Sequence, residues 1–91
     1  MRDATPAPDA DTRALLQQIA ARLTAERPQH PMRESIRTAL ALTFATRRHG
    51  YGTERAATAE EQLLAAAPVV EDGLTRQQYA DLLRDLAGGG R

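Results

Sequence analysis

The sequence predicts an all-α domain of four helices, and three observations carry that prediction. Apolar residues recur at three- and four-residue spacing in four separate windows. No segment alternates with a period of two, and the β-branched residues are mostly threonines at helix starts or on helix surfaces. Prolines and glycines fall at the borders of the windows. The predicted helical domain spans 10–88, between a disordered tail over 1–9 and a short flexible end over 89–91.

In the first window, Leu15, Leu16, Ile19 and Leu23 share a stripe while Arg13, Gln17, Gln18 and Arg22 lie elsewhere. Asp9 or Asp11 caps this helix, which is expected to run to about Arg27 and to end at Pro28. The second helix is predicted from Pro31 to His49, with Pro31 at a first position where its missing N–H costs nothing and His30 as the cap before it. Met32, Ile36, Leu40 and Thr43 form its expected inner face, flanked by Ala39 and Phe44, and Gly50 stops it. Leu42 sits on the opposite side, so this helix is expected to be touched from two directions.

The third helix has two possible starts. Thr53 can cap it early, but Thr58 with Glu61 three residues later makes the better capping box. Leu63, Leu64 and Ala67 then face inward and Pro68 ends the helix. The fourth helix has the clearest start, with Thr75 and Gln78 as a capping box and Leu74 and Tyr79 as a hydrophobic staple. Tyr79, Leu82, Leu83 and Leu86 make its predicted apolar stripe, ended by Gly88.

Composition narrows the function classes. The 91 residues include 18 Ala, 11 Leu and 12 Arg, with no Lys, Cys or Trp and a single Ser. Without Cys there are no disulfides, thiolate metal sites or Cys nucleophiles. No apolar run approaches the roughly 18 residues of a membrane span, and neither a secretory leader nor a lipidation signal is visible. A cytoplasmic protein is the expectation. Arg without Lys, with abundant Ala, suggests a GC-rich gene and points to a bacterial or phage source. Leu, Ile, Val and Phe together number 16, about 18% of the chain. That predicts a thin, alanine-rich core of the kind that gains stability by burying a face against a copy of itself or a partner.

Catalytic and cofactor chemistry find little footing. Ser35, the one serine, has no histidine at a helical neighbour position. His30 and Glu34 have the spacing of two metal ligands, but no third ligand converges on them by spacing. Glu60-Glu61 and Glu71-Asp72 are adjacent pairs, which diverge by about 100° on a helix. Asp72-Gly73-Leu74-Thr75 is similar to the middle of a calcium-binding EF-hand loop. Counting outward, however, puts Pro68 and Tyr79 where the first and last carboxylate ligands should stand. A helix-turn-helix reading of helices three and four meets a connector of about seven residues, against the usual three or four. No catalytic residue, metal or cofactor is assigned.

Charge is distributed unevenly. Residues 1–26 hold three Arg against four acids, 27–55 hold six against two, and 56–91 hold three against six. The balances are −1, +4 and −3 in a chain whose formal net charge is zero. The second helix carries Arg33, Arg37 and Arg48 along one flank, and Arg47-Arg48-His49-Gly50-Tyr51-Gly52 gathers cations, a ring and exposed backbone at its end. The expected function is a noncatalytic protein-interaction or regulatory module: an adaptor, inhibitor or accessory subunit. Arg33, Arg37, Phe44, Arg47, Arg48 and Tyr51 are its partner-binding residues, because Arg and aromatic side chains dominate interface energetics. The partner is another protein or a second copy of the chain. The alternative is a nucleic-acid-associated regulator using the same Arg and Tyr patch for phosphates and stacking, which the acidic remainder of the chain opposes.

Overall fold

The computed structural model describes residues 8–88 and contains α1 (Ala10–Ala25), α2 (Glu34–His49), α3 (Glu54–Ala66) and α4 (Arg76–Ala87), with no strand among the described residues. The all-α four-helix domain is the observed fold. Residues 1–7 and 89–91 of the expected tails lie outside the described residues. Asp9 is the N-cap of α1, its carboxylate accepting the Thr12 N–H at 2.8 Å. That bond holds the Asp9 carboxyl below its ordinary pKa.

The four helices form two packed pairs, α1 on α4 and α2 on α3, and α1 also touches α2 and α3. The connectors before α2 and before α4 lie side by side. Met32 donates its N–H to the Leu74 carbonyl and Arg76 donates to the His30 carbonyl, both at 2.9 Å, around an antiparallel bridge between Pro31 and Thr75. A helix start leaves backbone donors without partners, and at α4 each one is satisfied. Arg76 bonds His30, Gln77 bonds the Pro28 carbonyl at 2.8 Å, and Gln78 bonds the Thr75 hydroxyl in the predicted capping box.

This pairing corrects the predicted start of α2. Pro31 is extended rather than helical, Arg33 is the N-cap without a side-chain bond, and the helix begins at Glu34. His30 contributes a carbonyl to α4 and does not cap α2. The end of α1 also moves, from Arg27 to Ala25: Glu26 is its C-cap, and beyond it the Arg27 carbonyl accepts the His30 N–H in a turn.

The third helix starts at Glu54, with Thr53 as its cap; Thr58 and Glu61 sit inside the helix and form no capping box. Local bonding explains the choice. The Thr53 hydroxyl accepts the Ala56 N–H at 3.0 Å and lies 3.0 and 2.9 Å from the His49 and Gly50 carbonyls, so one side chain serves the end of α2 and the start of α3. Gly50 and Gly52 make so short a reversal possible, with φ of 97° and 78°.

The core is as alanine-rich as the composition implies: eight of its seventeen buried apolar residues are Ala. Tyr79, Leu15, Leu16, Leu63 and Leu83 are its largest fully buried side chains. The predicted stripe of α1 is buried in full, but two other faces are rotated. In α2 the buried residues are Ala41, Phe44 and Ala45, while Ala39 and Thr43 are exposed. In α4 they are Tyr79, Ala80, Leu83 and Ala87, while Leu82 and Leu86 are each 36% exposed. With alanine inside, helices approach closely, and the larger leucines are displaced to the edge of the contact.

Candidate interaction surface

Arg37 lies on the inner side of α2, facing the end of α3. A helix C-terminus leaves carbonyls without partners, and the α2–α3 pairing brings the Arg37 guanidinium to them. It donates to the Leu64 carbonyl at 2.7 Å and the Ala67 carbonyl at 3.0 Å, and it pairs with Glu34. Glu34 in turn accepts the Val70 N–H at 3.0 Å, and the Tyr79 hydroxyl donates to the Pro68 carbonyl at 2.5 Å. Burial pushes the Tyr79 phenol up to about 12. These bonds fix the 64–70 segment, so Arg37 is occupied inside the molecule. Glu34 is equally committed, which separates it from the ligand pairing with His30 that its spacing suggested.

Phe44 and Arg48 are also engaged. Phe44 is 9% exposed and belongs to the core, with the Arg47 guanidinium 5.5 Å above its ring. It is a platform for Arg47 rather than a projecting anchor. The Arg48 guanidinium pairs with Asp11 of α1 at 2.5 Å, and His49 Nε2 lies 3.1 Å from the other Asp11 oxygen. The end of α2 is thus tied to the start of α1. Arg33, Arg47 and Tyr51 remain on the surface. Tyr51 is 91% exposed on the glycine turn, and neither Arg33 nor Arg47 has an ion pair among the described residues.

Between these exposed groups runs the outer face of α2. Its exposed residues between Glu34 and Arg47 are Ser35, Thr38, Ala39, Leu42 and Thr43, none of them charged. Leu42 is 47% exposed. The Thr38 hydroxyl is turned back onto the Ser35 carbonyl at 3.2 Å, which reduces the polarity of this face. Charge stands only at the ends of this face. Leu42, set apart in the sequence by its position, is the large apolar side chain of the face. Its neighbours Ala39 and Thr43 are not legible in the sequence as part of this face, because the helical spacing puts Thr43 on, and Ala39 beside, the stripe of Met32, Ile36 and Leu40.

A concavity of about 290 Å³ opens where α1, α2 and α3 meet. Asp11, His49, Glu54, Arg55, Thr58 and Gln62 line it. Acids and bases alternate there, and Asp11 is shared between Arg48 and His49, so the cleft has no single sign of charge. No three His, Cys, Asp or Glu residues come together as a metal site among the described residues. No helix among them is long and apolar enough to cross a membrane.

Comparison with protein-family models, with curated proteins and with solved structures finds no match.

Proposed function

We propose that this domain is a noncatalytic interaction module, an adaptor or regulatory subunit, that docks a protein partner through the outer face of α2. The observation that carries the reading is the uncharged strip from Ser35 to Thr43, with exposed Leu42 as its large apolar side chain and exposed Arg47 and Tyr51 following it in the chain. Depletion of charge in the core of a patch, and enrichment of Arg and Tyr in the patch, are features of protein interfaces. Of the six residues selected from sequence, Arg33, Arg47 and Tyr51 keep a direct role. Arg37, Phe44 and Arg48 support them by holding α2 in place. A cytoplasmic setting in a bacterial or phage host accords with the cysteine-free, arginine-rich composition.

The test is site-specific photo-crosslinking in the native cell. A crosslinker replacing Leu42 is expected to give a discrete protein adduct, and one replacing Gln18, exposed on α1, to give none. Equal labelling at both positions, or none at Leu42, would contradict the reading.

The 91% exposure of Tyr51 favours a second reading, in which Tyr51 stacks on a base while Arg47 contacts a phosphate. Titrating labelled duplex and single strands at two salt concentrations tests it. Binding that weakens with salt and is lost in an Arg47→Ala, Tyr51→Ala double variant would favour nucleic acid.

A further inference from the structure

We propose that the partner of the α2 face is a second copy of this chain, which presents the outer face of its α4. The inference rests on the docking role of α2 and assigns its occupant. The outer face of α4 exposes a complementary surface. Leu82 and Leu86, four residues apart and each 36% exposed, form an apolar ridge. Asp81 and Asp85 repeat the same spacing beside them, both exposed. Asp85 has no ion pair among the described residues, and Asp81 has only Arg84 at 3.6 Å.

The two faces match in shape and in charge. Leu82 and Leu86 form a row along the i, i+4 direction, and Ser35, Ala39 and Thr43 form a row of smaller side chains along the same direction of α2. Ridges of this kind pack into the grooves beside such rows. Arg47, at one end of the α2 face, then meets Asp81 and Asp85. This pairing realises between copies the opposition of charge that the chain carries between 27–55 and 56–91. Within one chain the two helices belong to different pairs, α2 with α3 and α4 with α1, which leaves both outer faces open.

An interface at the lower end of the specific class buries about 1,200 Å² in total, so about 600 Å² from each copy, roughly a tenth of the 5753 Å² surface. A twofold arrangement places each α2 on the other copy's α4 and uses both faces of both chains at once.

Charge exchange tests the assignment. Sedimentation of the wild-type chain from low to high micromolar concentration is expected to show self-association. Arg47→Glu alone, and Asp81→Arg with Asp85→Arg, are each expected to weaken it about tenfold or more. Mixing the two variants is expected to restore it, because opposite charges then face each other at both contacts. Leu42→Gln provides an uncharged control that weakens self-association in the same way, and circular dichroism establishes that each variant is folded. A wild-type chain that stays monomeric overturns the second-copy assignment, as do variants that associate normally or mixtures that fail to recover. If the Leu42 crosslinker then captures a different protein, the docking role of α2 stands without it. If that crosslinker labels nothing, both fail.

Discussion

Arg37 joins the end of α3 to the start of α2. Its guanidinium supplies donors to two carbonyls at the end of α3 and a charge for Glu34, from a side chain that is 10% exposed. Bonds to a charged donor are worth about 1.5–3 kcal/mol, and truncation leaves the carbonyls unpaired. Arg37→Ala is therefore expected to destabilise the domain by about 2–3 kcal/mol in urea denaturation. Arg37→Lys is expected to recover only part of this, because an ammonium cannot reproduce the planar fork. Tyr79 belongs to the same cluster. Its neutral form is held in the folded state, with a pKa raised from 10.0 to about 12 chiefly by burial. The unfolded chain therefore loses this proton first, and stability that is complete below pH 10 falls as the pH rises towards 12. Tyr79→Phe is expected to abolish that alkaline fall and to cost about 1 kcal/mol at neutral pH for the lost bond to Pro68. The sequence identified Tyr79 as an inward residue through its place in the staple of α4. It could not show that Arg37 turns inward, because that depends on where α3 ends in space.

At the scale of elements, local chemistry was legible where one segment decided it alone. The capping box of α4 needs only Thr75 and Gln78, and it is present as read. The starts of α2 and α3 depend on distant or competing groups. Pro31 is drawn from the helix by the connector that holds Thr75, 44 positions along the chain. Thr53 prevails over Thr58 because its hydroxyl also serves the last carbonyls of α2. Thr53→Ala is accordingly expected to cost about 1 kcal/mol, while Thr58→Ala changes thermal stability by no more than about 0.5 kcal/mol. Equal effects would show that the helix starts elsewhere. The rotated faces of α2 and α4 have a common cause. Apolar size suggested that Leu82 and Leu86 point inward, but the helices meet through Ala41, Ala45, Ala80 and Ala87, which a reading weighted by size passes over.

For the whole molecule, neutrality resolves into an arrangement of surfaces. Part of the cationic excess of 27–55 is neutralised at home, Arg37 by Glu34 and Arg48 by Asp11. What stays exposed frames the outer face of α2, and the acids of α4 flank leucines that the thin core does not enclose. The sequence revealed the fold class, the alanine core and the charge asymmetry. It did not reveal which cations were already paired, since those pairs join residues brought together only by folding. The central claim is that the outer face of α2 is a contact surface. Backbone amide spectra recorded by NMR through a dilution series test it most directly. Concentration-dependent shifts are expected only at Ser35, Ala39, Leu42, Thr43, Arg47 and Tyr51 and, on the other copy, along the outer face of α4. Shifts centred on α1, or spectra that do not change with concentration while a bound partner perturbs some other face, would contradict it.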